Sequence, residues 1–150
     1  MDPDDAVELP EECLDLFDSP LLADLATVAP DGAPHITPLW LMRRGDQLVF
    51  NTTLSRAKTA NLRNDPRAAV CVRDAADPLR YVQVQGRVTL STEGAERTID
   101  ELSHQYTGSG FRPLAAGEVR IDAILTPEYV DYHPEADQSK AIRVRAQQTS

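Results

Sequence analysis

Ser55, Arg56 and Lys58 sit where a strand gives way to a helix, and their types and spacing could hold an anion. The stretch from Phe50 to Leu62 reads as the end of a strand, a short turn and the start of a helix. Ser55 is the expected N-cap, because its hydroxyl can accept from an amide two or three residues on. Arg56 and Lys58 then fall in the first turn. The free amides make that end of a helix partly positive, so cations there cost a few tenths of a kcal/mol to roughly 1 kcal/mol. A local rule broken without compensation marks a candidate functional site. The missing partner is an anion. Helical amides, the hydroxyls of Thr52 and Ser55, and two cations would together hold a phosphate. The alternative is two solvated surface cations that tolerate the penalty.

The rest of the chain offers no reacting groups to go with this cradle. His35, His104 and His133 are its only histidines. His104 follows Asp100 by four residues on a helical pattern, the spacing of a surface pair. His133 ends a strand, and His35 begins one. There is no G-x-S-x-G elbow, no P-loop, no G-x-G-x-x-G after a strand, no C-x-x-C and no H-E-x-x-H. No catalytic side chain and no metal ligand is therefore assigned. An anion cradle without an acid–base or nucleophile set favours a protein whose cofactor carries the chemistry.

Composition bounds the partners. The 150 residues suit one domain with a real core, and 41% hydrophobic with 26% charged residues is ordinary for a globular protein. No apolar run approaches the roughly 20 residues of a membrane helix. The start is acidic and lacks the signal-peptide pattern, so the expected location is the cytoplasm. Cys71, in an apolar run, reads as a buried thiol, and it and Cys13 are expected to be reduced. The net charge of −9 argues against nucleic acid as a partner. That charge is uneven: residues 1–18 carry −8, whereas residues 43–67 carry +4. A basic island in an acidic protein suits a small anionic ligand better than a long polyanion.

The elements that would position the cradle follow from turn signals and periodicity. Residues 1–9 are expected to be poorly ordered, and Pro10 to Phe17 reads as a short helix. Leu22–Ala29 and His35–Met42 form a hairpin about Pro30-Asp31-Gly32. Pro38 cannot donate to a ladder, which puts its strand at an edge or a bulge. Gln47–Thr52 leads into the cradle, and its helix, from Arg56 to about Asn64, stops at Asp65-Pro66. Strands follow at Arg67–Val72 and Tyr81–Ser91, the second alternating apolar and polar residues. An amphipathic helix spans Glu93 to Tyr106. Val119–Leu125 and Tyr129–Tyr132 make a last strand bent at Thr126-Pro127, and the tail from Pro134 is expected to be mobile. The fold class is mainly β (α+β): a six-stranded antiparallel barrel with appended helices. The expected division is an acidic segment at 1–18, the barrel at 19–133 and a polar tail at 134–150.

Three stretches in this order resemble a known family. Leu25-Ala26-Thr27-Val28-Ala29-Pro30-Asp31-Gly32-Ala33-Pro34-His35-Ile36-Thr37-Pro38-Leu39-Trp40 resembles the first hairpin of the pyridoxamine 5'-phosphate oxidase-like split barrels, the FMN-binding split-barrel type. Ser55 to Arg67 resembles their next element, and Arg80 to Val88 their long fifth strand. Within that superfamily, the D-G-x-P-H-x-T-P hairpin and the S-R-x-K-x-x-N-L helix start look most like the branch that uses the deazaflavin coenzyme F420. The tail has Arg143 and Arg145 but no version of the C-terminal substrate motif of true pyridoxamine phosphate oxidases.

The resemblance implies a homodimer with cofactor sites at the interface. It implies that Thr52, Ser55, Arg56, Lys58 and Asn61 hold the cofactor phosphate and chain. Thr37 and Pro38 would lie along its ring, and Tyr81 would reach it from the second subunit. The implied function is a reductase passing a hydride from F420 to an electron-poor or conjugated small molecule. FMN in place of F420, or a non-enzymatic cofactor- or haem-binding role, are the alternatives.

Overall fold

The computed structural model describes residues 6–146. A single antiparallel sheet carries the chain. Its strands are β1 (Ala23–Val28), β2 (Pro34–Leu39), β3 (Met42–Arg44), β4 (Gln47–Thr53), β5 (Arg67–Arg73), β6 (Tyr81–Ser91), β7 (Arg120–His133) and β8 (Ile142–Arg145). The helices are α1 (Leu14–Asp18), α2 (Ala57–Asn64) and α3 (Ala95–Thr107). The order across the sheet is β2-β1-β5-β6-β7-β4-β3, with β8 also paired to β7. The sheet curls without closing, so the architecture is a split barrel. It holds eight strands where six were expected.

Local chemistry explains the path. The β1–β2 hairpin turns at Gly32, whose φ of +88° suits a residue without a Cβ, and Asp31 Oδ1 accepts from the Ala33 amide at 3.0 Å. β2 lies at the sheet edge, as Pro38 within it requires. The expected His35–Met42 strand is interrupted because Leu41 leaves the ladder. Its amide donates to the Tyr106 hydroxyl at the end of α3 (2.9 Å), and its carbonyl accepts from Gln105 Nε2 (3.2 Å). β3 then begins afresh at Met42. In β6 the alternation places Val82, Val84 and Val88 inward. Gly86 has no room for a Cβ, which would run into the Thr126 carbonyl, and the register with β7 shifts between Gln85 and Gly86. The bend expected near Pro127 is this bulge.

Inside the curl, Leu16, Phe17, Leu25, Leu41, Leu48, Phe50, Val70, Val82, Val84 and Leu125 form one core. Each such side chain, fully buried, contributes about 1.5–3 kcal/mol of transfer free energy.

The two ends are more ordered than their polarity suggests. Residues 1–5 lie outside the described residues, but the Val7 amide donates to the Pro127 carbonyl (2.9 Å) and Leu9 is buried in the core. Residues 134–146 are not simply a mobile tail. Tyr129–Tyr132 of β7 pairs with β8, and Arg143 Nε lies 3.1 Å from Asp131. Residues 147–150 lie outside the described residues. Both cysteines are free, with Cys13 wholly buried and Cys71 only half-buried, because Cys71 faces the outer side of the sheet. Among the described residues no helix is long and apolar enough to cross a membrane.

Candidate functional site

The turn between β4 and α2 meets the edge strand β2, and a cavity of about 320 Å³ opens between them. His35, Thr37, Pro38, Arg56, Ala57 and Lys58 line it. Four of the seven residues expected to hold a cofactor are thus brought together: Thr37, Pro38, Arg56 and Lys58. The pleat of β2 sets His35 and Thr37 on one face and turns Pro38 to the other, at the exposed rim.

The helix start differs in detail from the sequence expectation. α2 begins at Ala57, so Arg56, not Ser55, occupies the N-cap position, with extended backbone (φ −78°, ψ 145°). No side chain caps the helix. The Ser55 hydroxyl lies 3.2 Å from Thr53 Oγ1 instead. Ser55 belongs with Leu54 and residues 115–119 around a neighbouring depression, outside the β2–α2 cavity. The loop is held from within: Thr59 Oγ1 donates to the Thr53 carbonyl at 2.7 Å. That bond lets the turn keep its shape without a cap, and leaves the first amides of α2 available to a ligand.

Thr52 and Asn61 have interior positions. Thr52 alternates with Leu48 and Phe50 on the core side of β4 and is buried. Asn61 is buried too, and its Nδ2 donates to Thr27 Oγ1 at 3.1 Å, tying α2 to β1. Neither lines the cavity. Tyr81 stacks on His133, with ring centroids 4.5 Å apart and planes 10° apart, and lies on the outer face of the sheet. His35 lines the cavity although no role was assigned to it. The signal was available in the sequence, since it stands two residues before Thr37 and so shares its face of a strand.

Electrostatics distinguish this cavity from the rest of the surface. Many other arginines meet carboxylates, among them Arg43 with Asp18 (2.8 Å), Arg67 with Asp65 (2.7 Å) and Arg120 with Glu118 (2.9 Å), whereas the exposed Arg63, Arg97 and Arg145 form no ion pair among the described residues. Among the described residues neither Arg56 nor Lys58 forms an ion pair, and no carboxylate lines the cavity. Burial, and then the nearby Arg56 charge, push the Lys58 ammonium below its usual pKa. Two polar atoms in the same wall, Thr37 Oγ1 and His35 Nδ1, are shut from solvent without a hydrogen-bond partner. Each such orphan costs on the order of 1–3 kcal/mol. Two unanswered cations and an uncapped helix start form a donor set suited to a phosphate, and a phosphate-bearing cofactor fits it.

A larger depression, about 490 Å³, lies over Ala26, Ala69 and Gln85 on the outer face of the sheet. Its cations are already engaged, Arg67 by Asp65 and Arg87 by Glu128 at 3.4 Å. It is larger than the β2–α2 cavity but lacks unpaired donors.

Comparison with known proteins agrees with the split-barrel fold. A solved structure titled F420 Reductase is 31% identical, with 81% of this chain and 98% of that one covered and a TM-score of 0.74. A conserved hypothetical protein from Mycobacterium tuberculosis is 21% identical over 97% of this chain and 94% of its own, at a TM-score of 0.71. HupZ of Group A Streptococcus is 19% identical over 85% of this chain and 98% of its own, at 0.64. The last two likenesses speak to the fold alone. A family model described as pyridoxamine 5'-phosphate oxidase matches residues 9–148, and with nearly its whole length inside that match this split barrel belongs to the pyridoxamine 5'-phosphate oxidase family.

Proposed function

We propose that this protein is an F420-dependent reductase acting on a conjugated or electron-poor small molecule. The observation that carries the reading is the β2–α2 cavity, where Arg56 and Lys58 have no carboxylate partner. The 31% identity to a protein titled F420 Reductase favours the deazaflavin. FMN is the second reading, favoured by the family model; it presents the same phosphate beside a ribityl chain.

Arg56 and Lys58 would hold the phosphate, with the first amides of α2 behind them. The exposed Pro38 edge of β2 would flank the ring. A proline there has no amide to leave unpaired, so a flat ring can approach that edge without costing a ladder bond. When bound, the cofactor supplies hydride transfer, and the chain's part is orientation, exclusion of water and electrostatic support. A 320 Å³ cavity holds a phosphate and part of a chain but is small for a whole tricyclic cofactor. The rest of the seat would come from a second copy of this chain. The outer face of β2-β1-β5-β6 suits such packing: it presents Ala26, Ala69 and Cys71 around Ile36, which is 69% exposed. Two free thiols accord with a reducing compartment, so the reading places the protein in the cytoplasm.

Calorimetric titration with F420 and with FMN tests the reading. Lys58→Ala and Arg56→Ala should each weaken binding by about 10- to 100-fold, the worth of one charge-assisted hydrogen bond. Tight binding of FMN alone would sink the F420 assignment. Normal binding by both variants would sink the phosphate seat.

A further inference from the structure

His35 is the residue in the cavity that the proposed seat does not yet use. The pleat of β2 sets it beside Thr37, facing the segment that carries Arg56 and Lys58. Its Nδ1 is sealed from solvent and bonds nothing, while Nε2 is neither sealed nor bonded and is the edge a ligand in the cavity would meet. The neighbour opposite it on β1 is Thr27, which is neutral and whose hydroxyl already accepts from Asn61. The charged groups that share its cavity are Arg56 and Lys58, both cationic. The hairpin turn before β2 holds Asp31, whose Oδ1 accepts from the Ala33 amide and which does not line the cavity. No carboxylate lines the cavity to accept from the imidazole, whereas an anion on Arg56 and Lys58 would stand there.

We propose that His35 is a third ligand of the anion held by Arg56 and Lys58, donating an imidazole N–H to it and engaging it best as imidazolium. The inference rests on the phosphate-seat reading above. A neutral imidazole has a single N–H, and an imidazolium has two and a positive charge. An anion therefore binds the protonated ring better, and binding draws a proton onto it. Affinity then falls as rising pH removes the ring's second proton, and complex formation takes up protons.

The test is calorimetry with F420 and FMN as probes, from about pH 6 to 8, in buffers of differing ionisation enthalpy. Wild type, Lys58→Ala, His35→Leu and His35→Asn are compared, with thermal melts to confirm folding. His35→Leu should lose about 10-fold in affinity at the acid end and flatten the pH profile. His35→Asn keeps an amide N–H donor, so it should recover part of the affinity while the pH dependence and proton uptake stay lost. The probes themselves titrate, through the phosphate of FMN and the ring of F420. The decisive quantity is therefore the difference in slope between wild type and variant, measured for each probe. If Lys58→Ala weakens binding while His35→Leu matches wild type in affinity and slope, His35 is no ligand and the seat survives without it. If wild type and Lys58→Ala bind equally, or neither binds, the seat itself fails and this inference falls with it.

Discussion

Two polar regions of this protein treat charge in opposite ways. The first lies between α3, β4 and β7. Asp122 is only 3% exposed there, yet both of its oxygens are answered: Asn51 Nδ2 donates to one at 2.8 Å and Thr98 Oγ1 to the other at 2.7 Å. Asn51 Oδ1 accepts from Arg120 Nε (2.8 Å), Arg120 pairs with Glu118, and Glu118 pairs with Arg112 (2.8 Å). Arg44 closes the other end, donating to Thr98 Oγ1 (3.0 Å) and pairing with Glu101 (3.1 Å). The second region is the β2–α2 cavity, where two cations and two sealed polar atoms have no partners. The contrast matters because the fold evidently can satisfy its charges. Sealed atoms without partners occur at His133 and Asp131 too, but the cavity sets two cations together with no carboxylate among its lining residues, and that grouping points to something outside the chain.

The comparison can be broken by mutation. The largest effect is expected in the satisfied region: Asp122→Ala leaves Asn51 and Thr98 facing an empty site and should cost about 2–4 kcal/mol of unfolding free energy. Urea denaturation measures this, with cofactor affinity unchanged for the folded protein. A loss under about 0.5 kcal/mol would mean that the network merely decorates the sheet.

Lys58→Met should go the other way in the unliganded protein. A folded-state ammonium pKa pushed down means that folding disfavours the charged form at neutral pH, so removing the charge should not destabilise. Methionine keeps most of the apolar stem. The group is half exposed and water screens it, so the expected change lies between zero and a gain of about 0.5 kcal/mol. By the same sign, wild-type stability should rise as alkaline pH deprotonates Lys58 in the folded state before the unfolded one. A clear loss of stability in Lys58→Met would show that the lysine is structural, and the contrast between the two regions would collapse.

Ser55→Ala should be the smallest effect, under about 0.5 kcal/mol by thermal melting, because Ser55 caps no helix. A loss nearer 1 kcal/mol would restore Ser55 as the N-cap.

Most of the fold was legible in the sequence. The Asp31-Gly32 turn, the alternation of Val82, Val84 and Val88, and the apolar stripe of α3 each reflect local rules, and each element lies where those rules put it. What could not be read was set by distant contacts. β3 exists as a separate strand because Tyr106 and Gln105, at the far end of α3, take the backbone of Leu41 out of the ladder. β8 exists because β7 offers a free edge to a polar segment, and pairing along an edge needs little side-chain hydrophobicity. The site shows the same division. Arg56 and Lys58 were found from a broken helix rule. Asn61 was read as a cofactor contact through the family resemblance, whereas its amide bonds Thr27, which lies 34 residues earlier in the chain.

The sequence by itself determined six of the eight strands and the helix pattern, a proline that confines β2 to an edge or a bulge, and a cationic helix start that lacks its counterion. These follow from backbone chemistry within a few residues: proline without an amide, glycine without a Cβ, and cations against free helix amides. Only the tertiary structure decided which of the candidate residues share one space. It set Thr37, Pro38 and His35 across from Arg56 and Lys58, turned Thr52 into the core, and drew Ser55 aside. The reason is that the partners of a side chain are chosen by packing between elements, which bring residues together across the sheet regardless of their separation along the chain.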